Sequence, residues 1–420
     1  MLNTLALFWI CCFLAQAFPL YDNLKTARAQ QSAYNYVQGP GNATSDYVVV
    51  GGSTAGLTVA ARLAEDPRVK VAVIEAGDLY EHVNGNLSIV PDYGASVSTP
   101  AVDWGFKPTW KELGLAQLKD LTTGSLIGNQ YSPATTVQAT KRARRAKATS
   151  LAEKIIFANN KATGVQVSSN SQNSTLYAKK EVILADGTLQ TPQLLMVSGV
   201  GPQNILTQHG IEVILDLPGV GQNMEDHLFF SMVYEVDVVT LSKTLTDADF
   251  AAQVEAEYTK NHSGILTNTG ADYFAWEKLP SEYLSKLSQQ ARTDLAAFPS
   301  DWPDYEVVIG DVPFAAGAEY AQAIGMLEAA TARGNVSISS ASMADPPLID
   351  TQTLATSTDQ QVAVQVINRM RELWSTKSYS AITDSADEIL PGASVQTDEQ
   401  ILDYLLANAG SGFHCACTCE

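Results

Sequence analysis

Basic residues are scarce. The 420-residue chain has 26 Lys and Arg against 45 Asp and Glu, a formal net charge of −19. A surface of that sign repels phosphate backbones, which excludes nucleic acid as a partner class. The one basic run, KRARRAK from Lys141 to Lys147, reads as a solvated helix face. Cysteine is scarce too. Cys11 and Cys12 lie near the start, and the next are Cys415, Cys417 and Cys419. No disulfide framework can hold the body between them, so burial must do so. Long hydrophobic runs are also lacking. The leader stretch LALFWICCFLAQA falls short of the roughly 20 apolar residues that cross a bilayer, so no stable membrane span is expected. It has the length of a signal-peptide core, with small residues at Ala15 and Ala17 and no Lys or Arg before it. The expectation is a signal peptide over residues 1–17 and a secreted product. N-x-S/T sequons at Asn42, Asn86, Asn173, Asn261 and Asn335 add N-glycosylation to that expectation.

What is present describes a folded protein of two domains: 45% apolar and 17% charged residues, in a chain too long for one ordinary core. Residues 18–45 are polar and mixed, an arm rather than a core element. From Asp46 the text becomes DYVVVGGSTAGLTVAARLAEDPRVKVAVIEAG. Tyr47 to Val50 is a short apolar strand, LTVAARLAE is helical in spacing, Pro67 closes that helix, and VKVAVIEAG is a second strand ending on Glu75. This is a βαβ unit closed within about 30 residues. Its turn reads Gly51-Gly52-Ser53-Thr54-Ala55-Gly56, a G-x-G-x-x-G pattern with Ser53 at the middle glycine. The first glycine permits the tight turn, and the last permits close packing of helix on strand. The helix start that follows favours an anion. Glu75 stands 19 residues past Gly56, near the distance at which an acid takes a ribose hydroxyl pair. The same residues would also make a ligand-free βα turn. With two flanking strands and the spaced acid, a dinucleotide is the reading they favour, and composition alone leaves NAD and FAD both open.

Further on, IIFANNKATGVQV (155–167) reads as a β-hairpin and EVILA (181–185) as an apolar strand. TPQLLMVSG reads as a helix beginning at Pro192, and Pro202 to Gly210 frames another. Here the residues resemble the glucose-methanol-choline (GMC) oxidoreductases. GTLQTPQLLMVSGVG (187–201) is similar, position by position, to the second signature of that family. LPGVGQNMEDH (217–227), DYVVVGGSTAG with VIEAG, DWGF (103–106), ARGNVSISSASMADPPLID (332–350) and the helix DQQVAVQVINRMRELW resemble its other landmarks. The likeness is strongest to the secreted fungal branch of aryl-alcohol oxidases and secondary-metabolite dehydrogenases.

The resemblance implies an α/β FAD-binding (Rossmann-like) domain over 46–222, plus an α+β substrate domain with an antiparallel sheet over 223–410. Residues 411–420 would return to the first domain. It implies FAD as cofactor, a small-molecule alcohol as substrate, and oxygen or another electron acceptor to reoxidise the flavin. Cofactor-binding residues would be Gly51, Gly52, Ser53, Thr54, Ala55, Gly56 and Glu75. In the closing string His414-Cys415-Ala416-Cys417-Thr418-Cys419, His, Thr and the last Cys match the family's active-site string, which makes His414 the implied catalytic base. A neutral imidazole suits that task, because hydride leaves a carbinol readily only as its hydroxyl loses a proton.

The chain departs from the pattern in two places. Phe106 runs straight into Lys107, Pro108 and Thr109, where the family carries a long segment; the expectation is an internal deletion near 106–107. The text stops at Glu420, short of the family's returning strand. A catalytically impaired member is therefore the alternative function, and a secreted metal- or partner-binding glycoprotein using the cysteine tail is the second. His414 with three cysteines has the ligand count of zinc, but alternate-residue thiols close a tetrahedron poorly, so no metal is expected. Of the other histidines, His82 reads as an exposed loop residue, His209 as a helix-terminal one, His262 as a surface one, and His227 as structural. Trp104 and Trp276 are candidate pocket residues.

Overall fold

A computed structural model of the chain describes residues 42–77, 150–169, 172–267, 270–271, 273–311, 314–383 and 388–419. The expectations on residues 1–17, His82, Asn86, Trp104, the junction at 106–107 and the Lys141–Lys147 run lie outside these.

The βαβ unit forms as its pattern dictates. Strand β1 (Ala43–Val50) leads through the glycine turn into helix α1 (Thr54–Leu63) and on to β2 (Val71–Ile74). β1 runs parallel to β2, with Tyr47 opposite Val71 and Val50 opposite Ile74. Val48 and Val49 are fully buried, as the centre of a covered parallel sheet requires. β1 begins earlier than its apolar run. Ala43 to Ser45 pair with Leu176 to Ala178 of a later strand, so the end of the expected arm is strand by tertiary pairing. That later strand is β5 (Gln172–Leu184). It lies parallel to β1 and antiparallel to β4 (Lys161–Ser169), which pairs in turn with β3 (Leu151–Ala158). The β3–β4 hairpin turns on Asn159 and Asn160, both at positive φ (50° and 60°), a conformation asparagine tolerates and a two-residue hairpin needs. The first sheet is thus ordered β2-β1-β5-β4-β3.

Helix α2 (Gly187–Val197) follows β5 and begins five residues before the expected Pro192, which lies inside it. Pro192 has no N–H to donate to the Thr188 carbonyl, one turn back. That carbonyl accepts instead from the Thr418 hydroxyl at 2.6 Å. Leu194 and Met196 are fully buried on the first sheet's core, and Ser198 accepts from the Ile155 amide at 2.8 Å, tying helix to β3. A short parallel pair, β6 (Val200–Gly201) and β7 (Leu215–Asp216), encloses α3 (Gln203–Gln208), which ends at Gly210 with φ +68°.

The second sheet is antiparallel. It contains β8 (Leu228–Glu235), β9 (Tyr273–Glu277), β10 (Tyr305–Gly310), β11 (Tyr320–Leu327) and β14 (Glu388–Leu390), in the order β14-β8-β11-β10-β9. β15 (Gly410–Ser411) adds to β8. Between β11 and β14 come the hairpin β12 (Asn335–Ser337) with β13 (Leu348–Asp350). Helix α4 (Ala248–Asn261) packs its own small cluster with Leu241 and Leu266, and α5 (Gln289–Ala296) lies against α6 (Ser357–Trp374). α6 buries Val362, Ala363, Val366, Ile367, Met370 and Trp374 against Phe230 and Met232 of β8. Thr356 caps its start by accepting from Asp359 N. Gly325 stands opposite Phe230, and a Cβ there would come within 2.5 Å of the ring, so the pair fills the sheet face as small against large. α7 (Asp398–Asn408) opens on a complete capping box, Thr397 with Gln400.

Candidate active site

Two groups of residues adjoin the N-terminal end of α2. The first is the glycine turn. Gly51 donates to Ile74 O at 3.0 Å and sits at φ +94°; a Cβ on it would lie 2.2 Å from Ala185 O. A Cβ on Gly56 would lie 1.9 Å from Gly51 O. Both positions therefore admit only glycine, and they bring the start of α1 against the strand ends. Ser53, Thr54 and Ala55 are exposed. Ser53 makes no side-chain cap, and the first turn of α1 carries no acid, so the helix start keeps its unfilled amides and positive field. Glu75 is turned onto this turn: its Oε2 accepts from Gly52 N at 2.7 Å and its Oε1 from Gly77 N at 2.8 Å. Each oxygen keeps a second lone pair, so the same carboxylate that shapes the loop can still take a hydroxyl. Beside it Asp186 is a buried carboxyl whose Oδ2 has no hydrogen-bond partner. A cradle of backbone amides that side chains cannot enter, with an acid at the second strand end and an orphaned polar atom at its rim, fits the nucleotide half of a dinucleotide.

The second group sits on the C-terminal tail. The tail zips antiparallel along residues 220–227. Gly412 N donates to His227 O at 2.7 Å, Ala416 and Glu225 exchange backbone hydrogen bonds at 2.9 and 3.1 Å, and Gly221 N donates to Thr418 O at 2.7 Å. Thr188 of α2 donates its hydroxyl to Cys415 O at 2.7 Å and receives that of Thr418. Phe413 and Cys417 take positive φ (60° and 64°), the bends that let the intervening backbone follow this path. The segment LPGVGQNMEDH and the closing string are thereby brought together.

His414 is half-buried, its backbone N–H held by Asp226 Oδ1 at 3.0 Å. Its Nδ1 lies 3.0 Å from Nδ1 of His227, the two rings meeting edge to face. Burial, and then the field of the neighbouring His414, lower the His227 pKa to about 4. Burial also lowers that of His414, against the opposing pull of Asp226. Both imidazoles are neutral at pH 7, which is the form a base needs. One proton lies in their contact; when His414 Nδ1 supplies it, His414 Nε2 is the free acceptor. Behind them stand two buried carboxyls. Glu328 Oε1 is 3.3 Å from His227 Nδ1, and Glu328 shares a hydrogen bond with Glu306. Burial, and then Glu328, push Glu306 up to about 8, and burial raises Glu328 as well, so the pair holds a proton at neutral pH. Trp276 hydrogen-bonds Glu306. Burial and the Asp226 carboxyl push the Cys415 thiol up to about 12, so it is a neutral donor and not a nucleophile.

The predicted loop residues Gly51 to Gly56 and Glu75 thus gather at the first sheet, and the tail that carries His414 is bonded to Thr188 in the first turn of α2. His227, read as structural, is His414's ring partner. Glu306 and Glu328 were not singled out by sequence reasoning. The available signal was an acid inside the apolar run YEVVIG and another at the end of IGML, since an unpaired acid is seldom buried. Cys415, Cys417 and Cys419 are free thiols, and among the described residues no group of three or more His, Cys, Asp or Glu is placed to hold a metal ion.

Two models described as GMC oxidoreductase match, the N-terminal one over residues 129–229 and the C-terminal one over 330–420. Patulin synthase of Aspergillus clavatus is 32% identical over 528 residues, covering 90% of this chain and 83% of that protein. The aligned length exceeds the 420 residues present here, so the relative carries segments with no counterpart in this chain. Versicolorin B synthase of Aspergillus parasiticus is 29% identical, covering 89% and 79%. Among solved structures, a variant of formate oxidase from Aspergillus oryzae superposes with a TM-score of 0.75 at 20% identity, covering 89% and 88%. A fungal aryl-alcohol oxidase does so with 0.62, also at 20%, covering 89% of each chain.

Proposed function

The chain belongs to the GMC oxidoreductase family, and on that footing we propose that it oxidises a small alcohol to an aldehyde or ketone, with His414 as the base. Its cofactor is FAD. Bound FAD supplies the acceptor for the two electrons that leave the carbinol. The chain's own residues do the rest. The glycine turn and Glu75 hold the nucleotide half. His414 Nε2 takes the hydroxyl proton while His227 fixes the ring, and Asp226 fixes the backbone beneath it. Oxygen or another acceptor then completes the cycle. The observation that carries this reading is the pair of neutral, part-buried imidazoles 3.0 Å apart, His227 at the end of the 220–227 segment and His414 on the tail anchored to α2, the helix whose N-terminus borders the glycine turn.

The substrate class is an alcohol of fungal secondary metabolism or of the benzylic kind, supported by the synthases and dehydrogenases among the relatives and by the aryl-alcohol oxidase among the folds. Turnover of a panel of benzylic and aliphatic alcohols by the flavin-loaded protein, with and without His414→Ala, tests it. Turnover that persists unchanged in the variant removes His414 from its role. The second reading, an impaired family member, is favoured by the relatives' unmatched segments; a protein that binds FAD and reduces it with none of the panel would support it. The same proposal includes export and N-glycosylation, since Asn42, Asn173 and Asn261 are exposed. A glycosidase-sensitive mass on the secreted product checks this, and an unmodified product retained in the cell counts against it.

A further inference from the structure

Asp186 stands between β5 and α2, at the rim of the glycine turn. Ala185 N donates to Val50 O at 2.8 Å, and a Cβ on Gly51 would come within 3.0 Å of Asp186 N, so the residue borders Gly51 directly. Its Oδ2 is buried and makes no hydrogen bond. An orphaned buried acceptor of this kind destabilises the fold, so its retention calls for a partner outside the chain. Among the described residues the neighbours do not offer one. Glu75 turns its two oxygens to the amides of Gly52 and Gly77, and it makes no hydrogen bond to Asp186 Oδ2. The first turn of α1 has no charged residue. On the α2 side the Thr188 hydroxyl is committed to Cys415 O, and the Cys415 thiol is neutral. The next residue, Gly187, is exposed at φ +80°, and none of the described residues comes within 4 Å of where a Cβ would stand.

Burial lifts the Asp186 carboxyl to about 7, with Glu75 pushing the same way and its own backbone N–H opposing. Near neutrality it is therefore half in the acid form, a hydrogen-bond donor set beside a cradle built for an anion. We propose that Asp186 is a cofactor-binding residue: as the neutral acid it donates to an oxygen acceptor of the nucleotide half of FAD, and as the carboxylate it repels the diphosphate. This rests on the glycine turn being the FAD site. It follows that FAD binding takes up a proton at Asp186 and weakens as pH rises.

The test is a flavin-fluorescence titration of the FAD-stripped full chain at pH 6 and pH 8.5. The Kd of the wild type rises by about 10- to 30-fold across that interval, the linkage expected of one carboxyl titrating near 7 in the free protein. In Asp186→Asn, whose amide donates at both pH values, Kd changes by less than about threefold. Asp186→Ala binds weakly at both. A wild-type Kd equal at the two pH values overturns the assignment, as does an Asn variant that keeps the wild-type pH dependence. If the wild type binds no FAD at either pH, the cofactor site itself fails, and this assignment with it.

Discussion

The two halves of the site handle charge in opposite ways. At the glycine turn the work is done by backbone. Gly51 and Gly56 leave no room for side chains, and Glu75 is satisfied by amides at 2.7 and 2.8 Å. At the second sheet it is done by side chains. Two histidines and two glutamates are buried within reach of one another, each shifted toward its neutral form by loss of water. The difference teaches that one half is tuned by steric exclusion and the other by dielectric. Substitutions should therefore break them differently: the first through geometry at any pH, the second through pH.

The largest effect belongs to Gly56→Ala. Its Cβ would meet Gly51 O at 1.9 Å, backbone against backbone, and neither can step aside. The expected loss is about 3 kcal/mol of stability, from overpacking, with FAD binding lost in a titration. Gly210→Ala is the control. It has positive φ but nothing within 4 Å, so about 1 kcal/mol of strain is its whole cost. If the two variants melt alike, steric exclusion is not what shapes the turn.

Next in size is the pH response of the second half. Glu306 titrates higher in the folded chain, at about 8, than unfolded. Its contribution is fully present below about 4.5 and is lost as pH rises through 8. His227 is depressed to about 4, so its contribution is present above about 6.5 and is lost as pH falls toward 4. Stability should thus fall on both sides of a mildly acid optimum. Glu306→Gln removes the alkaline limb, so it gains stability relative to wild type as pH rises from 5 to 8, read by urea unfolding at each pH. Parallel curves for the two proteins would show that the Glu306–Glu328 pair is not held as described.

The smallest effect joins the halves. Thr418→Val removes the hydroxyl that satisfies Thr188 O, the carbonyl left open by Pro192. The expected cost is about 1–2 kcal/mol, the price of a buried acceptor left unmet, with a looser tail seen as faster amide exchange at Ala416 and Gly221. Unchanged exchange would place the anchor of the tail elsewhere.

Much of this was legible in the chain, and the misses have a common cause. The βαβ unit could be read because its information is local: apolar runs, a glycine turn, and an acid 19 residues on. The Asn159-Asn160 hairpin was local as well. What escaped is set by distant partners. Pro192 looked like a helix start, since Thr418, 230 residues from Thr188, is what lets the helix begin at Gly187. Ala43 to Ser45 looked like an arm because their ladder lies on β5. His227 looked structural because His414 is 187 residues away. Glu306 was a plain anomaly in an apolar strand, and only the fold shows that Glu328 shares its proton.

The central claim is that a chain whose first sheet holds FAD places His414 where an alcohol gives up its proton. Anaerobic mixing of the flavin-loaded protein with an accepted alcohol tests this directly, with the flavin absorption band as the readout. The account predicts that the wild type bleaches on mixing, and that His414→Ala carries the same band but bleaches about 10²- to 10⁴-fold more slowly, the range lost with a positioned base. Bleaching of the variant at the wild-type rate, with its flavin fully bound, would contradict it.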